Sequence, residues 1–252
     1  MKLAAIYSVY NGLELLEKAM LQIRNEVDIF IIVYQKVSNK GEVDLTVKKK
    51  VERIAKKFNA KVVLYETDLK LKTKHNELNK HNLGLEVAKL SDCTHFVIGA
   101  TDHYYKNNEF KKAKAIAVNF DLTLTAMYTY YKKPEWQLYP IEDYLMPFIC
   151  RLYDNTVFDI VMWKLPYVVD PALRINTIDT HYHFKQDEIM MHHYSMIRTD
   201  IKNKFKNAAA SVNWNEEKVS QFINEYENAK VGSEISYFKG RKLIEVDNYF
   251  NI

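Results

Sequence analysis

Two short stretches of this 252-residue chain contain side chains that could bind a metal ion. Asp102 follows a short apolar run, and His192 and His193 lie in a second stretch, in the last third of the chain. Carboxylate oxygens bind hard divalent cations, and imidazole nitrogens bind transition metals. Arg198, which follows the two histidines, offers a forked set of donors for phosphate oxygens. These residue types point to metal binding and phosphate contact.

Alternating apolar segments and helical patterns in the first hundred residues must position these side chains. Residues 28–34 form a continuous run of Ile, Val and Phe, as expected for a parallel strand covered on both faces. Elsewhere apolar residues recur at helical spacing, as at Val47, Val51 and Ile54. We predict strands at 3–10, 28–34, 61–65 and 95–100, and helices at 13–23, 47–58 and 76–90. This alternation predicts an α/β fold with a doubly wound, mostly parallel sheet.

The regular alternation of predicted strands and helices ends in the second half of the chain. We predict strands at 121–131 and 161–169, and helices at 141–151 and 215–229. The chain has only six glycines, no linker rich in Gly, Pro or Ser, and no repeat. We therefore expect one domain over residues 1–252. Residues 1–110 would bind a nucleotide, and residues 111–252 would bind the second substrate and close the site.

The composition limits the class of protein. Hydrophobic residues make up 48% of the chain, enough for a sizeable core, and no run approaches the roughly 18 apolar residues that span a bilayer. The Met-Lys-Leu start leads into a strand, so we expect a cytoplasmic protein without a signal peptide. Cys93 and Cys150 match no metal or redox spacing and are expected to be reduced, buried thiols. A net charge of +4 leaves a phosphate-bearing partner open.

Ligands of open parallel sheets bind beyond the carboxyl ends of the strands, so the loops after the predicted strands are informative. Two of them contain polar groups in close succession, at residues 8–11 and 101–103. The others contain residues 34–35 and 66–68. We expect these loops to form one ligand site.

Three segments of the first half share the pattern of one enzyme group. Residues 6–11, Ile-Tyr-Ser-Val-Tyr-Asn, look like the end of a first strand that lies beside a donor base. Residues 81–89 are similar to an Arg-Asn-x-Gly-Leu helix, and residues 94–105 to the strand that leads into a DxD motif. In these features the chain resembles the GT-A glycosyltransferases, especially family-2-like members. The resemblance covers roughly residues 3–110 and implies the GT-A fold and hexosyltransferase-like activity with a nucleotide-sugar donor.

The resemblance implies a donor site at the carboxyl edge of the sheet, with a UDP-sugar as the expected donor. The residues expected to contact the donor are Ser8, Tyr10, Asn11, Gln35, Lys74, Asn82, Thr101, Asp102 and Arg198. A donor diphosphate needs its charge neutralised as the leaving group departs, and a hard cation held by a carboxylate does this as a Lewis acid. We therefore expect Mn²⁺ or Mg²⁺ at Asp102.

The DxD-like segment departs from the pattern of the group at one position. The first aspartate falls on Ala100, which leaves Asp102 as the single carboxylate. Metal binding then requires other ligands or is weaker. Residues 189–198 resemble a His-containing stretch that returns to the metal and diphosphate in many GT-A enzymes, so His193 or His192 is expected to supply a nitrogen ligand. A hydrogen-bonded histidine pair with a structural role is the alternative.

Candidates for the catalytic base lie further along the chain. Glu142 and Asp143 resemble the Glu-Asp pair at a helix start with which an inverting member of the group takes the proton of the acceptor hydroxyl. Capping and the helix dipole also favour acidic residues at a helix start, which is the structural alternative. Asp179, with His181, forms a second acid and imidazole cluster that could serve the acceptor or the metal.

The acceptor has no local signature in the sequence. Mild basicity allows a modified base in DNA, whereas the habit of the group favours a polysaccharide, a lipid-linked glycan or a protein. A non-catalytic nucleotide-sugar or nucleic-acid binding protein of the same fold is a further hypothesis, because the first aspartate is missing. A nucleotidyltransferase is the least favoured, because no Gly-rich phosphate-binding signature stands near the first strand.

Overall fold

The first half of the chain alternates strands and helices as predicted. The structure, a computed structural model, describes residues 1–161, 163–170, 173–207 and 214–252. The strands of this half are β1 (Leu3–Val9), β2 (Ile29–Tyr34), β3 (Lys61–Leu64), β4 (His95–Gly99) and β5 (His103–Tyr104). The helices are α1 (Leu13–Gln22), α2 (Val47–Phe58), α3 (Thr73–Lys89) and α4 (Asn107–Ala117). Every element predicted before residue 100 is present, and α4 is an additional helix.

The second half is richer in strands than predicted. Its strands are β6 (Leu122–Thr125), β7 (Met127–Tyr131), β8 (Lys133–Tyr139), β9 (Met146–Arg151), β10 (His181–His183), β11 (Met191–Met196), β12 (Glu234–Ile235) and β13 (Arg241–Glu245). Its helices are α5 (Ile201–Asn207) and α6 (Glu216–Asn228), with a short 3-10 helix at Ser236–Phe238. The predicted helix at 215–229 is confirmed by α6.

Seven strands form the main sheet, in the order β10-β6-β9-β4-β1-β2-β3. β1 pairs in parallel with β2 and β4, β2 with β3, and β6 with β10. β9 is the antiparallel member, inserted between β4 and β6. The other six strands therefore point the same way, and their carboxyl ends share one edge. The predicted α/β fold with a mostly parallel sheet flanked by helices is confirmed.

The strands of the first half are apolar on both faces because helices cover both sides of the sheet. Every residue of β2 from Phe30 to Tyr34 is buried. On α2 the buried stripe consists of Val47, Val51, Ile54 and Ala55, and the lysines of the helix face outward. This helical stripe and the uninterrupted strand run are the patterns that the sequence displays.

Gly84 brings α3 into close contact with the sheet. A Cβ atom at this position would lie 2.4 Å from Cγ2 of Ile6 in β1 and 3.3 Å from Cγ2 of Val33 in β2. The absence of a side chain at Gly84 therefore allows α3 to lie close to β1 and β2.

Replacing Gly84 by Ala should destabilise the fold, because the new methyl group overlaps Ile6. Overpacking typically costs 1–3 kcal/mol, offset in part by the better helix propensity of Ala, so we expect a net loss of about 1–2 kcal/mol. Urea denaturation measures this loss. His75→Ala, at an exposed position of the same helix, is the matched control and should not lose stability. An unchanged midpoint for Gly84→Ala would contradict the close packing.

A second sheet of six strands has the order β12-β13-β8-β7-β11-β5. A separate apolar cluster lies against it and includes Tyr131, Phe205 and Phe222. β11 pairs antiparallel with β5, with His193 opposite His103. This register places His193, from the last third of the chain, beside His103, which lies shortly after the end of β4.

Three predicted elements of the second half are corrected by the structure. Residues 141–151 were expected to be helical, but β9 covers 146–151 and is buried in the sheet between two neighbours. The predicted strand at 121–131 is divided at Ala126 into β6 and β7, which belong to different sheets. Around 161–169, where a strand was predicted, the described residues form no strand beyond a bridge from Val169 to Leu145, and residue 162 lies outside the description.

Two expectations from the composition concern membranes and thiols. Within the described ranges, no helix has the length and apolar character needed to cross a membrane. Cys93 and Cys150 are both buried free thiols, as expected. Burial raises the pKa of the Cys150 thiol above its ordinary value.

Candidate active site

A cleft of about 390 Å³ opens at the carboxyl edge of the main sheet. Its walls come from the ends of β1, β2 and β4, from the first turns of α3 and from the segment between β11 and α5. Eight of the residues singled out in the sequence line it: Ser8, Tyr10, Asn11, Gln35, Thr101, Asp102, His193 and Arg198. The parallel strands thus bring together loops that are distant in sequence, as the strand order requires.

Asp102 is a buried carboxylate that lines this cleft. Its Oδ2 atom accepts a hydrogen bond from Nη2 of Arg198, and Nζ of Lys204 lies 4.0 Å away from the same oxygen. Burial alone would raise the pKa of Asp102, but the positive charges of Arg198 and Lys204 hold the pKa well below its ordinary value. Asp102 is therefore ionised throughout the physiological pH range.

His103 and His193 stand beside this carboxylate. Ligand atoms of Asp102, His103 and His193 all lie within 4.8 Å of one another, and the two imidazole rings are 5.3 Å apart. Burial lowers the pKa of His193 to about 3 and lowers that of His103 as well. Both rings are therefore neutral near pH 7, and Nδ1 of His193 has no hydrogen-bond partner among the described residues.

One carboxylate and two neutral imidazoles fit a divalent cation. Neutral ring nitrogens have the lone pairs that a metal ligand requires, and the buried Nδ1 of His193 makes no hydrogen bond to a described residue that would compete for it. His103 would offer a nitrogen where the pattern of the group has a carboxylate, at the position that Ala100 takes here. The residues present are thus compatible with the expected metal, with His103 as a ligand that the sequence interpretation did not name.

His192 lies on the other face of β11. Successive side chains of a strand point to opposite sides, so the two adjacent histidines cannot both face the cleft. Nδ1 of His192 is 2.7 Å from the hydroxyl of Tyr130, and its ring packs against Phe250. The structure therefore gives His193 the cleft position and places His192 in the hydrogen-bonded structural role that was the alternative.

Polar groups at the end of β1, just after β2 and on α3 also line the cleft. Nζ of Lys80 donates to Oε1 of Gln35 at 3.0 Å, and Nε2 of Gln35 donates to the carbonyl of Val37. Oγ of Ser8 lies 3.1 Å from Nδ1 of His81. Burial lowers the pKa of His81 to about 3, so this ring is neutral as well. These side chains present directed donors and acceptors to a ligand.

Two expected donor contacts do not line the cleft. Oδ1 of Asn82 accepts from the backbone N–H of Phe158 at 2.7 Å, and Nδ2 donates to the Phe158 carbonyl at 3.0 Å. Asn82 is thus satisfied by a neighbouring loop. Lys74 lies in the first turn of α3, but the cleft-lining side chains of that helix are Glu77, Lys80 and His81.

The carboxylates expected to act as bases also lie outside the cleft. Asp143 is 87% exposed and pairs with Arg241 at 2.9 Å, and Glu142 accepts a hydrogen bond from Thr129. Asp179 is exposed and precedes β10, so it lies at the amino end of that strand, opposite the carboxyl edge. Its backbone N–H donates to the Asp121 carboxylate. The predicted helix start at 141–151 does not exist, which removes the geometry on which the pair 142–143 depended.

The sequence interpretation missed several cleft residues as site candidates, among them the charged or titratable side chains of Glu77, His103, Asp170 and Lys204. His103 could have been found, because it directly follows Asp102. Asp170 lies in an irregular segment that was predicted to end a strand at 169, and Lys204 lies in a helix that was not predicted. No local pattern identified either one.

Comparison with known proteins gives matches among solved structures. No protein-family model and no curated protein matches the chain. S. aureus TarS 1-349 has a TM-score of 0.49 at 17% identity, covering 90% of this chain and 71% of that chain. Its complex with UDP-GlcNAc gives 0.48 at 16% identity, covering 90% and 72%. Its complex with UDP gives 0.40 at 19%, covering 53% and 37%.

The chain is similar in fold to TarS. TarS is a GT-A, family-2-like glycosyltransferase. The chain spans 43% of the length of a longer TarS structure, with a TM-score of 0.46 at 17% identity. UDP and UDP-GlcNAc are ligands of TarS in these complexes.

Proposed function

We propose that this chain is a glycosyltransferase that moves a sugar from a UDP-sugar to an acceptor hydroxyl with the help of a divalent cation. The observation that carries the proposal is the cleft in which Asp102, His193 and Arg198 meet at the carboxyl edge of the sheet. A carboxylate and neutral imidazoles suit a metal, and a guanidinium suits phosphate oxygens. The motif resemblance at 6–11 and 81–89 supports the same donor class.

The cation end of the cleft would hold the diphosphate. Asp102, His103 and His193 would hold a divalent cation, which supplies Lewis-acid stabilisation of the charge on the departing nucleotide. Arg198 and Lys204 would donate hydrogen bonds to phosphate oxygens from the side of α5. Such charge-assisted donors are stronger than neutral ones, and in a buried site they stabilise developing charge without reorganising.

The nucleoside would occupy the end formed by β2 and α3. Gln35, Lys80 and Ser8 offer both donors and acceptors there, as recognition of a base and a ribose requires. Tyr10 forms part of the rim, and its hydroxyl donates to the Glu42 carbonyl at 3.0 Å. This hydrogen bond joins the end of β1 to the loop after β2.

Asp170 is the residue we propose as the base. Three carboxylates line the cleft within the described part of the chain: Glu77, Asp102 and Asp170. Asp102 belongs to the cation centre. Burial raises the pKa of Glu77, and the positive charges of Lys80, Lys204 and Lys74 act on its carboxylate, so we assign Glu77 to balancing those lysines. Asp170 lies with Tyr144, Met146 and Leu173 on a mixed polar and apolar wall that suits a sugar ring and an acceptor.

The proposed acceptor is a hydroxyl, either on a modified base in DNA or on a glycan. A DNA acceptor requires lysines or arginines beside the cleft and gives binding that weakens steeply with salt, because phosphate contacts release counterions. A neutral glycan binds without that salt dependence. Binding of duplex DNA across a salt series therefore separates the two acceptor classes.

A thermal-shift screen tests the donor proposal. A ligand at a concentration of 100 Kd stabilises the folded state by about 2.7 kcal/mol, which should raise the melting temperature by several degrees. We expect UDP-GlcNAc or another UDP-sugar to give such a shift with Mn²⁺ and a smaller one with EDTA. GDP-, ADP- and CMP-sugars are the comparison ligands. If none of the donors shifts the melting temperature under either condition, the proposed function is wrong. Binding without turnover would favour the non-catalytic alternative.

A further inference from the structure

The ion pair between Arg198 and Asp102 occupies the carboxylate that the cation needs. Both side chains are almost fully buried, with exposed fractions of 4% and 6%. Arg198 pairs with Oδ2, and the other oxygen of the same carboxylate, Oδ1, lies 3.9 Å from Nε2 of His103 in the cluster with His193. A guanidinium and a divalent cation at one carboxylate repel each other, and the repulsion is strong where water is excluded. Cation binding and the ion pair are therefore in competition.

Arg198 also has N–H donors that make no hydrogen bond to a described residue. Its Nε and Nη1 atoms are buried and have no hydrogen-bond partner among the described residues. The guanidinium lies against the turn between β1 and α1, where a Cβ built on Gly12 would be 2.4 Å from Nη1. Buried donors without partners are costly, and phosphate oxygens are suitable acceptors for a guanidinium fork. A diphosphate in the cleft would therefore attract Arg198 away from Asp102.

We propose that Arg198 closes the cation site by pairing with Asp102 until a diphosphate takes the guanidinium, so that the cation and the donor bind cooperatively. This inference rests on the proposed function for the identity of the diphosphate. Because coupling between two ligands is reciprocal, the cation must tighten diphosphate binding by the same factor by which the diphosphate tightens cation binding. The free protein then holds the cation weakly, and the complete site forms when both ligands are present.

The test measures Mn²⁺ affinity by electron paramagnetic resonance, with and without UDP. For the wild-type chain we expect UDP to tighten Mn²⁺ binding by about tenfold or more, a typical size for coupling between sites. For Arg198→Gln we expect Mn²⁺ without UDP to bind about tenfold more tightly than in the wild type, and the gain from UDP to be largely lost. Arg198→Lys keeps the charge without the fork and should lie between the two.

Arg151→Gln is the matched control. Arg151 lies 3.6 Å from the buried Asp121, so that it too faces an aspartate, but at the opposite edge of the sheet. This variant should keep the wild-type Mn²⁺ affinity. Circular dichroism establishes that each variant is folded, and Arg198→Lys carries the test if Arg198→Gln does not fold.

The competition is disproved if Arg198→Gln, or Arg198→Lys in its place, binds Mn²⁺ no more tightly than the wild type in the absence of UDP. That comparison uses the metal alone, so it stands even if UDP does not bind. If UDP leaves the wild-type Mn²⁺ affinity unchanged although it binds, the cooperative part is wrong. If UDP and UDP-sugars fail to bind at all, the proposed function fails instead.

Discussion

Replacing Asp102 by Asn should lower sugar transfer by about 1,000-fold or more. Asp102 is the single carboxylate of the proposed cation centre, and an amide has neither its charge nor its affinity for a hard cation. Loss of one group that stabilises the transition state electrostatically costs 10²- to 10³-fold in other enzymes, and here the metal would be lost with it. Turnover of the purified variant with a UDP-sugar, across a Mn²⁺ series, measures the effect.

Asp102→Asn also leaves the positive charges of Arg198 and Lys204 without their buried partner. Breaking a buried ion pair by removing one partner typically costs 3–5 kcal/mol, so a loss of stability must be separated from a loss of chemistry. Asp121→Asn is the matched control, because Asp121 is a buried aspartate near Arg151 at the opposite edge of the sheet. We expect it to lose stability but to retain turnover per folded molecule. Full activity and an unchanged metal response in Asp102→Asn would contradict the site.

The sequence predicts β1 to β4, the parallel strands of the first half, because each of them carries its own signal. Residues 28–34 are apolar without interruption, and the stripe of α2 repeats at helical spacing, so neither pattern depends on distant parts of the chain. Once those strands are parallel, their carboxyl ends must share an edge. Ser8, Gln35 and Asp102 could therefore be assigned to one site without any knowledge of their contacts.

The second half was harder to predict because its strands depend on distant partners. β9 is buried on both faces between β4 and β6, so it shows neither the alternation of a half-exposed strand nor a clear helical stripe. A short apolar run of this kind cannot be told from a buried helix by its period alone. The error at 141–151 led directly to the expectation that Glu142 and Asp143 begin a helix beside the acceptor.

The histidines of the proposed cation centre also depend on distant strand partners, so the sequence could not assign them one by one. The sequence predicts that a histidine of the pair 192–193 turns toward Asp102, but the face of each depends on how β11 pairs with β5 and β7. A shift of one residue would exchange the two histidines. The same pairing sets His103 opposite His193, which completes the cluster. The sequence shows which residue types are present, but it does not show the strand register that decides which histidine faces the cleft.

Replacing Asp170 by Asn should lower the turnover by about 10²- to 10⁴-fold while donor binding is kept, because the amide cannot accept the proton of the acceptor hydroxyl. Donor binding depends on the cation centre and the nucleoside end, neither of which includes Asp170, so the shift in melting temperature with UDP-sugar and Mn²⁺ should equal that of the wild type. The dependence of turnover on pH adds a second criterion. A general base must be deprotonated, so wild-type turnover should fall at low pH, and this fall should disappear in the variant.

Asp143→Asn and Asp179→Asn complete the comparison, because they alter two of the three other carboxylates that the sequence interpretation named as bases, the third being Glu142. Both residues lie outside the cleft, and we expect both variants to keep turnover close to the wild type. A large loss in either one, with full activity in Asp170→Asn, would show that the base comes from elsewhere in the chain or that the reaction needs none. A loss confined to Asp170→Asn would instead assign proton removal to the wall formed with Tyr144 and Met146. The acceptor hydroxyl would then have to lie between that wall and the cation centre at Asp102.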